Sequence, residues 1–246
     1  MSDIRESVVL CEGFYDRAFW KGWLLHLNCQ DARKRRSDGT YDDAIDPFGK
    51  TVPRGQFGFH SPLGKFIRLE ACNGDKNVRK AARRRLKQHS TQPLQHLIMN
   101  VDLDTAADDA AATDRGRKDL REWLDHIVEP ALRADGVTAT VVDWSAPDPP
   151  TTALPAKQTL ERLVCAAISE VFPERARAVD HWLLHRPAPP PLEPKAFAWS
   201  HMAGWYATDG CDEFYQKVWR DIKLAQALTK RLGETGAVVA IEALMA

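Results

Sequence analysis

The chain has 246 residues, 44% of them apolar, and its 34 Lys and Arg are matched by 34 Asp and Glu. That length suits one large domain, or a domain with a substantial insertion, around a real hydrophobic core, and the balanced charge singles out no class of partner. No apolar run reaches about 18 residues, which excludes a membrane-spanning helix, and a charged N-terminus passing directly into a strand pattern excludes a secretory signal.

Val8 to Cys11 is an apolar run of strand length, followed at once by Glu12 and Gly13. Phe19, Trp20, Trp23, Leu24 and Leu27 then recur on one face, which predicts a helix over about 16–28. Strand, acidic residue, glycine, helix is the pattern of a tight βα turn, with Gly13 supplying backbone freedom. Glu12 would stand at the carboxyl end of a strand, where open α/β sheets place their ligand sites. Asp16, near the helix start, reaches back toward the same crevice. Residues 29–64 are rich in turn residues and carry the basic run Arg33 to Arg36; they predict an insertion or a long, mobile loop.

A second strand is predicted over 66–72, a turn at Asn73 and Gly74, and a basic helix over 75–88 bearing Arg79, Arg83, Arg84 and Lys87. From Asp31 to Lys87 there are 15 Lys/Arg against 7 Asp/Glu, a basic excess of about eight that suits phosphate neutralisation along a nucleic acid. Residues 97–104 read as a strand, 115–133 as a helix on Leu120, Trp123, Leu124, Ile127 and Val128, and 137–142 as a further strand. This βα-βα-βα-β alternation predicts a mainly parallel sheet with helices on both faces. Beyond a proline-rich turn, helices are predicted over 157–172, 174–184, 195–206 and 212–232, with 237–246 as a last helical turn or edge strand. Residues 1–146 thus form an α/β core and 147–246 a helical extension that completes the site.

The strand over 97–104 organises the chain because it ends in two carboxylates one residue apart. Alternation along a strand points Asp102 and Asp104 the same way, and like charges that close repel. A hard divalent cation such as Mg²⁺ resolves the conflict. A DxD at a strand end has several uses. Haloacid-dehalogenase-type phosphatases require Thr or Val where this chain has Ala106, and glycosyltransferases use the motif within a larger nucleotide-sugar domain.

Glu12, Gly13 and Asp16 after an apolar strand, followed by Asp102 and Asp104, resemble the two motifs of Toprim domains over roughly residues 6–145. The resemblance is to the Toprim domains of the OLD-family (overcoming-lysogenization-defect) nucleases and to small stand-alone Toprim proteins. Leu160-Glu161 opening a helix and Lys195 opening a later one are similar to further elements of those nucleases. The resemblance implies an α/β Toprim-like fold and metal-dependent hydrolysis of DNA or RNA, with Mg²⁺ or Mn²⁺ in a two-metal site. It implies Glu12, Asp16, Asp102, Asp104 and Glu161 as metal ligands, Glu12 also as general base, and Lys195 as the group steadying transition-state charge. A role in anti-phage defence or nucleic-acid repair follows from the same likeness. The gap between the motifs is long for a Toprim core, which the insertion explains. The ATPase domain and GxxxxGK[ST] loop that accompany OLD nucleases do not occur in this sequence, so a separately encoded ATPase or regulatory partner is expected. The competing expectations are a partner-activated binding or effector module and a phosphatase of small phosphoesters.

Other features have plainer readings. Five widely spaced cysteines with no CxxC pair read as reduced thiols of a cytoplasmic protein. His181 and His185 share a helix face but lack a third ligand, and with Trp182 between them they suit ordinary packing. Phe57 and Phe59 read as loop anchors rather than base-stacking rings. Trp199, Trp205, Tyr206, Phe214, Tyr215 and Trp219 suit core packing or a homodimer face. Asp143 ends a strand and is at most an outer acid.

Overall fold

A computed structural model describes residues 4–146, 148, 154–185, 210–233 and 235–246. Its strands are β1 (Glu6–Cys11), β2 (Gln30–Asp31), β3 (Gln56–His60), β4 (Phe66–Ala71), β5 (Leu94–Asp102) and β6 (Thr138–Trp144). The helices are α1 (Phe14–His26), α2 (Asp75–Lys87), α3 (Ala110–Ile127), α4 (Pro130–Ala134), α5 (Leu160–Val171), α6 (Pro173–His185), α7 (Cys211–Arg220), α8 (Ile222–Leu232) and α9 (Ala237–Met245).

The strands form one sheet in the order β2-β3-β4-β1-β5-β6, and β4, β1, β5 and β6 run parallel. The mainly parallel α/β fold expected from the alternation is therefore observed. Every residue of β1 is buried, because both faces of a parallel sheet are covered. Alternation then sorts its side chains. Val9 and Cys11 join Ile98, Val142 and Trp144 in a core with α1, α5 and α7 to α9. Val8 and Leu10 join Leu97, Met99 and Val101 in a second core under α2 and α3. The C-terminal helices thus share a core with α1 and the sheet. Phe214, Tyr215 and Trp219 pack inward there, and the Trp23 and Trp219 rings stack at 5.2 Å.

Residues 29–64 are more ordered than a loop. β3 pairs antiparallel with β4, β2 pairs with β3, and the intervening chain closes two small turns at the Arg35–Tyr41 and Ile45–Thr51 bridges. Phe59 is buried in the main core and Phe57 packs against it, as the anchoring reading expected. The insertion is held by charge as well. Arg68 of β4, 2% exposed, donates Nε to Glu6 at 2.9 Å and pairs with Asp46 of the insertion at 2.8 Å. Arg85 of α2 joins the same group through Glu70 at 2.8 Å and Glu6 at 3.4 Å. Burial pushes the Glu6 carboxyl up, and Arg68 pulls it back.

Two predicted helices break where the backbone requires it. The helix expected over 115–133 divides before Pro130, whose ring forces Glu129 into an extended conformation (ψ 146°). The one expected over 212–232 divides at Asp221, which instead caps α8 by accepting from Lys223 N and Leu224 N. The apolar tail resolves as helix α9. All five cysteines are free thiols.

Two substitutions test this packing by urea unfolding. Arg68→Met removes the arginine from buried Asp46 and one of the two arginines from buried Glu6, and should cost about 3–5 kcal/mol. A Cβ at Gly22 would meet the Tyr215 carbonyl oxygen at 2.7 Å. Gly22→Ala should therefore cost about 1–3 kcal/mol by prising α1 from α7.

Candidate functional site

From β1 the chain moves to β4 on one side; α2 then carries it back across β1 to β5, and β6 continues outward. The connections that follow β1 and β5 therefore diverge, and the crevice outside their carboxyl ends is the switch point of the sheet. Glu12 follows β1 directly and Asp102 ends β5. The two are joined twice: Glu12 N donates to Asn100 O at 3.0 Å, and Asp102 N donates to Glu12 Oε2 at 3.0 Å. The sequence pattern placed both at strand ends; the register places those ends side by side.

Two further carboxylates reach this point from helix N-termini. Asp16, in the first turn of α1, accepts from Gly13 N at 2.8 Å and from Trp144 Nε1 at 2.6 Å. Glu161 lies in the first turn of α5, 4% exposed, next to Leu160, whose N–H donates to Asp102 Oδ1 at 3.1 Å. The partial positive charge of these two helix ends offsets some of the negative charge gathered there. Beneath the carboxylates, fully buried Asn100 accepts from Trp20 Nε1 at 3.0 Å and donates to Val142 O.

Burial and mutual repulsion shift these acidic groups upward. Burial raises the Asp16 carboxyl from 3.8 to about 7; hydrogen bonds from Trp144 and Gly13 pull it down, and the charges of Glu161 and Glu12 push it up. Burial also holds Asp102 well above its ordinary range, reinforced by Asp16, Glu161 and Glu12. The Tyr215 hydroxyl, which has no hydrogen-bond partner among the described residues, is raised by burial and then by Glu161 and Asp16. Tyr215 belongs to this group, and nothing in its sequence context distinguishes it from a core aromatic.

Asp104 departs from the expected geometry. β5 ends at Asp102, and Asp104 takes a left-handed conformation (φ +55°) that breaks the alternation. Its side chain is 61% exposed and stands 3.7 Å from Lys157. The cause is a local pairing: Asp104 N donates to Gln158 O, Gln158 N to Thr105 O and Ala107 N to Ala156 O. That pairing ties the DxD loop to the segment leading into α5 and so brings Glu161 to Asp102. Lys157 is a rim cation that motif reading missed, because its place comes from an antiparallel bridge with Ala106, far away in the chain. Lys195 lies outside the described residues, as do Trp199, Trp205 and Tyr206.

The remaining candidates lie elsewhere. α2 starts beside Glu12, where Gly74 N donates to Glu12 O, and then runs away from it. At about 1.5 Å per residue Lys87 is roughly 18 Å farther along the axis. Arg79 and Arg83 stand over the Trp123 ring at 4.8 and 5.4 Å, and Arg84 pairs with Glu70. Asp143 faces the α3 layer, where Arg117 binds it at 2.9 Å, and so points away from Asp16. His181 and His185 are exposed, His185 Nδ1 lies 2.7 Å from His181 O, and Trp182 is exposed rather than packed.

Carboxylate oxygens are the donors that Mg²⁺ or Mn²⁺ prefers, and the mutual repulsion of Glu12, Asp16, Asp102 and Glu161 is what a divalent cation would relieve, so the donor chemistry fits. In the present side-chain arrangement no set of three or more His, Cys, Asp or Glu among the described residues forms a metal-binding group. Both Asp16 oxygens and one Glu12 oxygen are held by protein donors. Comparison with known proteins gives no match among family models, curated proteins or solved structures.

The raised Asp16 pKa predicts an unusual stability profile. The folded chain keeps a proton that the unfolded chain loses near pH 4, so the Asp16 contribution to stability should fall as pH rises from about 4 to 7, and the raised Asp102 adds a loss of the same sign. Asp16→Asn should flatten that fall in metal-free melting curves. Mg²⁺ or Mn²⁺ should raise the melting temperature more at pH 8 than at pH 5, because protons and cation compete for the same carboxylates.

Proposed function

We propose that this chain is a Toprim-like, Mg²⁺- or Mn²⁺-dependent nuclease hydrolysing phosphodiester bonds in DNA or RNA, in the cytoplasm and in a defence or repair role. The observation that carries this reading is the convergence of Glu12, Asp16, Asp102 and Glu161 on the β1/β5 switch point. The two motifs that resemble Toprim domains supply two strand ends that the register makes neighbours, and Glu161 stands in the first turn of α5, beside the Leu160 N–H that Asp102 accepts.

In this reading Asp102, Glu161 and Glu12 would hold the cations, which would stabilise the negative charge that develops on the phosphate oxygens. Glu12 also takes the proton from the attacking water. Asp16 is a positioning residue: it pins Gly13 and the start of α1 while Trp144 fixes its own carboxylate. Lys157, beside Asp104 at the rim, meets phosphate charge in the role the likeness gave to Lys195.

A second reading, a partner-activated binding or effector module, is favoured by the commitment of Asp16 and Glu12 oxygens to protein donors. There a separately encoded ATPase or regulatory partner would complete the site.

Cleavage of labelled plasmid, single-stranded DNA and RNA with Mg²⁺ or Mn²⁺ separates the two. For a nuclease, Glu12→Gln and Asp102→Asn should each lower the rate by about 100-fold or more, and Asp16→Asn by about 10- to 100-fold. No cleavage of any polymer by folded wild type would overturn the stand-alone nuclease in favour of the module.

A further inference from the structure

A strip of alternating aromatic rings and cations leaves the acidic crevice along α1 and ends in a cavity. Phe14, directly after Gly13, lies under the Arg17 guanidinium at 5.1 Å. Arg17, Lys21 and Arg33 all stand over the Phe57 ring of β3, at 4.2, 4.6 and 5.9 Å. Arg33 also covers the Tyr41 ring at 4.8 Å. Phe14 and Tyr41 are each 50% exposed, which leaves apolar ring surface in water beside bound cations.

The cavity, about 420 Å³, opens between α1, the insertion and α7, and its lining includes Lys21, His26, Arg33, Tyr41, Trp219 and Arg220. Trp219 is fully buried, yet its indole Nε1 has no acceptor among the described residues. Lys21 is paired with Asp212 and Arg33 with Asp31. Four cations (Arg17, Lys21, Arg33, Arg220) against these two carboxylates leave two positive charges in excess. At about 1.5 Å per residue Lys21 lies only roughly 8 Å along α1 from Asp16, so a strand of a few nucleotides spans from crevice to cavity.

We propose that this strip and cavity are the path of a single-stranded nucleic acid. Bases stack on Phe14 and Tyr41, phosphates meet Lys21, Arg33 and Arg220, and one nucleotide unit sits in the cavity against Trp219, while buried Arg17 holds Gly55 O and braces the Phe57 ring. Rings that accept any base, interleaved with cations that follow the backbone, give sequence-tolerant recognition of an unpaired strand. The inference rests on the nuclease reading for where the strand leads, while binding itself requires neither metal nor turnover.

The test is the anisotropy of a short labelled oligothymidylate and oligouridylate with the full chain in EDTA at low salt. Tyr41 and Arg220 are exposed, so Tyr41→Ala and Arg220→Glu should keep the fold, which melting curves verify. Each should weaken binding about tenfold, whereas Lys80→Glu on α2 should change it less than about twofold. Unchanged affinity in both strip variants, or no binding by wild type, would overturn the path. Cleavage measured in parallel with Mg²⁺ keeps the two ideas apart. Strip-dependent binding without cleavage upholds the path and sinks the nuclease; cleavage with strip-independent binding does the reverse.

Discussion

Asp102 sits where two demands meet: it must end a strand in the middle of a buried sheet, and it must share that place with Glu12, Asp16 and Glu161. Like charges in a low-dielectric crevice are tolerated only if fixed dipoles face them. The chain supplies such dipoles from several directions. The Asp102 backbone N–H holds Glu12, the first N–H of α5 holds Asp102, and Gly13 N with the Trp144 indole holds Asp16. The starts of α1 and α5 and the end of β6 are therefore positioned by the same carboxylates that they accommodate.

A second buried charge group of a different character runs along β1 and β4 on the face covered by α2. Glu6, Asp46, Arg68, Glu70 and Arg85 satisfy one another, with guanidinium forks meeting carboxylates. With Arg84, which also pairs with Glu70, three guanidiniums meet three carboxylates, and the group fastens the insertion to β4 and α2. The crevice at the carboxyl ends is unbalanced, with Lys157 on Asp104 at its rim. One sheet thus carries a cluster of paired charges and, at its carboxyl ends, a cluster of acids faced by backbone and indole dipoles.

α1 links the two halves of the molecule. Its first turn carries Asp16, its inner face presents Phe19, Trp20 and Trp23 to the sheet and to α7, and its flank with β3 carries the cation–ring strip. Gly22 lets α7 approach to backbone contact, which brings Tyr215 near the acids and Trp219 to the cavity wall. A change in the seating of α1 would therefore be felt at the crevice and the strip together.

Local pattern was enough for the α/β class, the strands at β1, β4, β5 and β6, and the acidic residues at Glu12 and Asp102. Those features depend on hydrophobic period and on residues next to each other in the chain. What depended on distant segments was not legible. The strand period continued to Asp104 on paper, but pairing with residues 156–158 turned that residue outward and put Lys157 beside it. Residues 29–64 looked like loop because their strand partner, β4, supplies the regularity that their own composition lacks. Basic residues of α2 read as a phosphate-binding face, yet Trp123, Glu70 and Glu6 had already claimed several of them from other elements. Sequence thus determined which carboxylates end strands; only the tertiary register decided which of them share a crevice, because that depends on contacts between segments scores of residues apart.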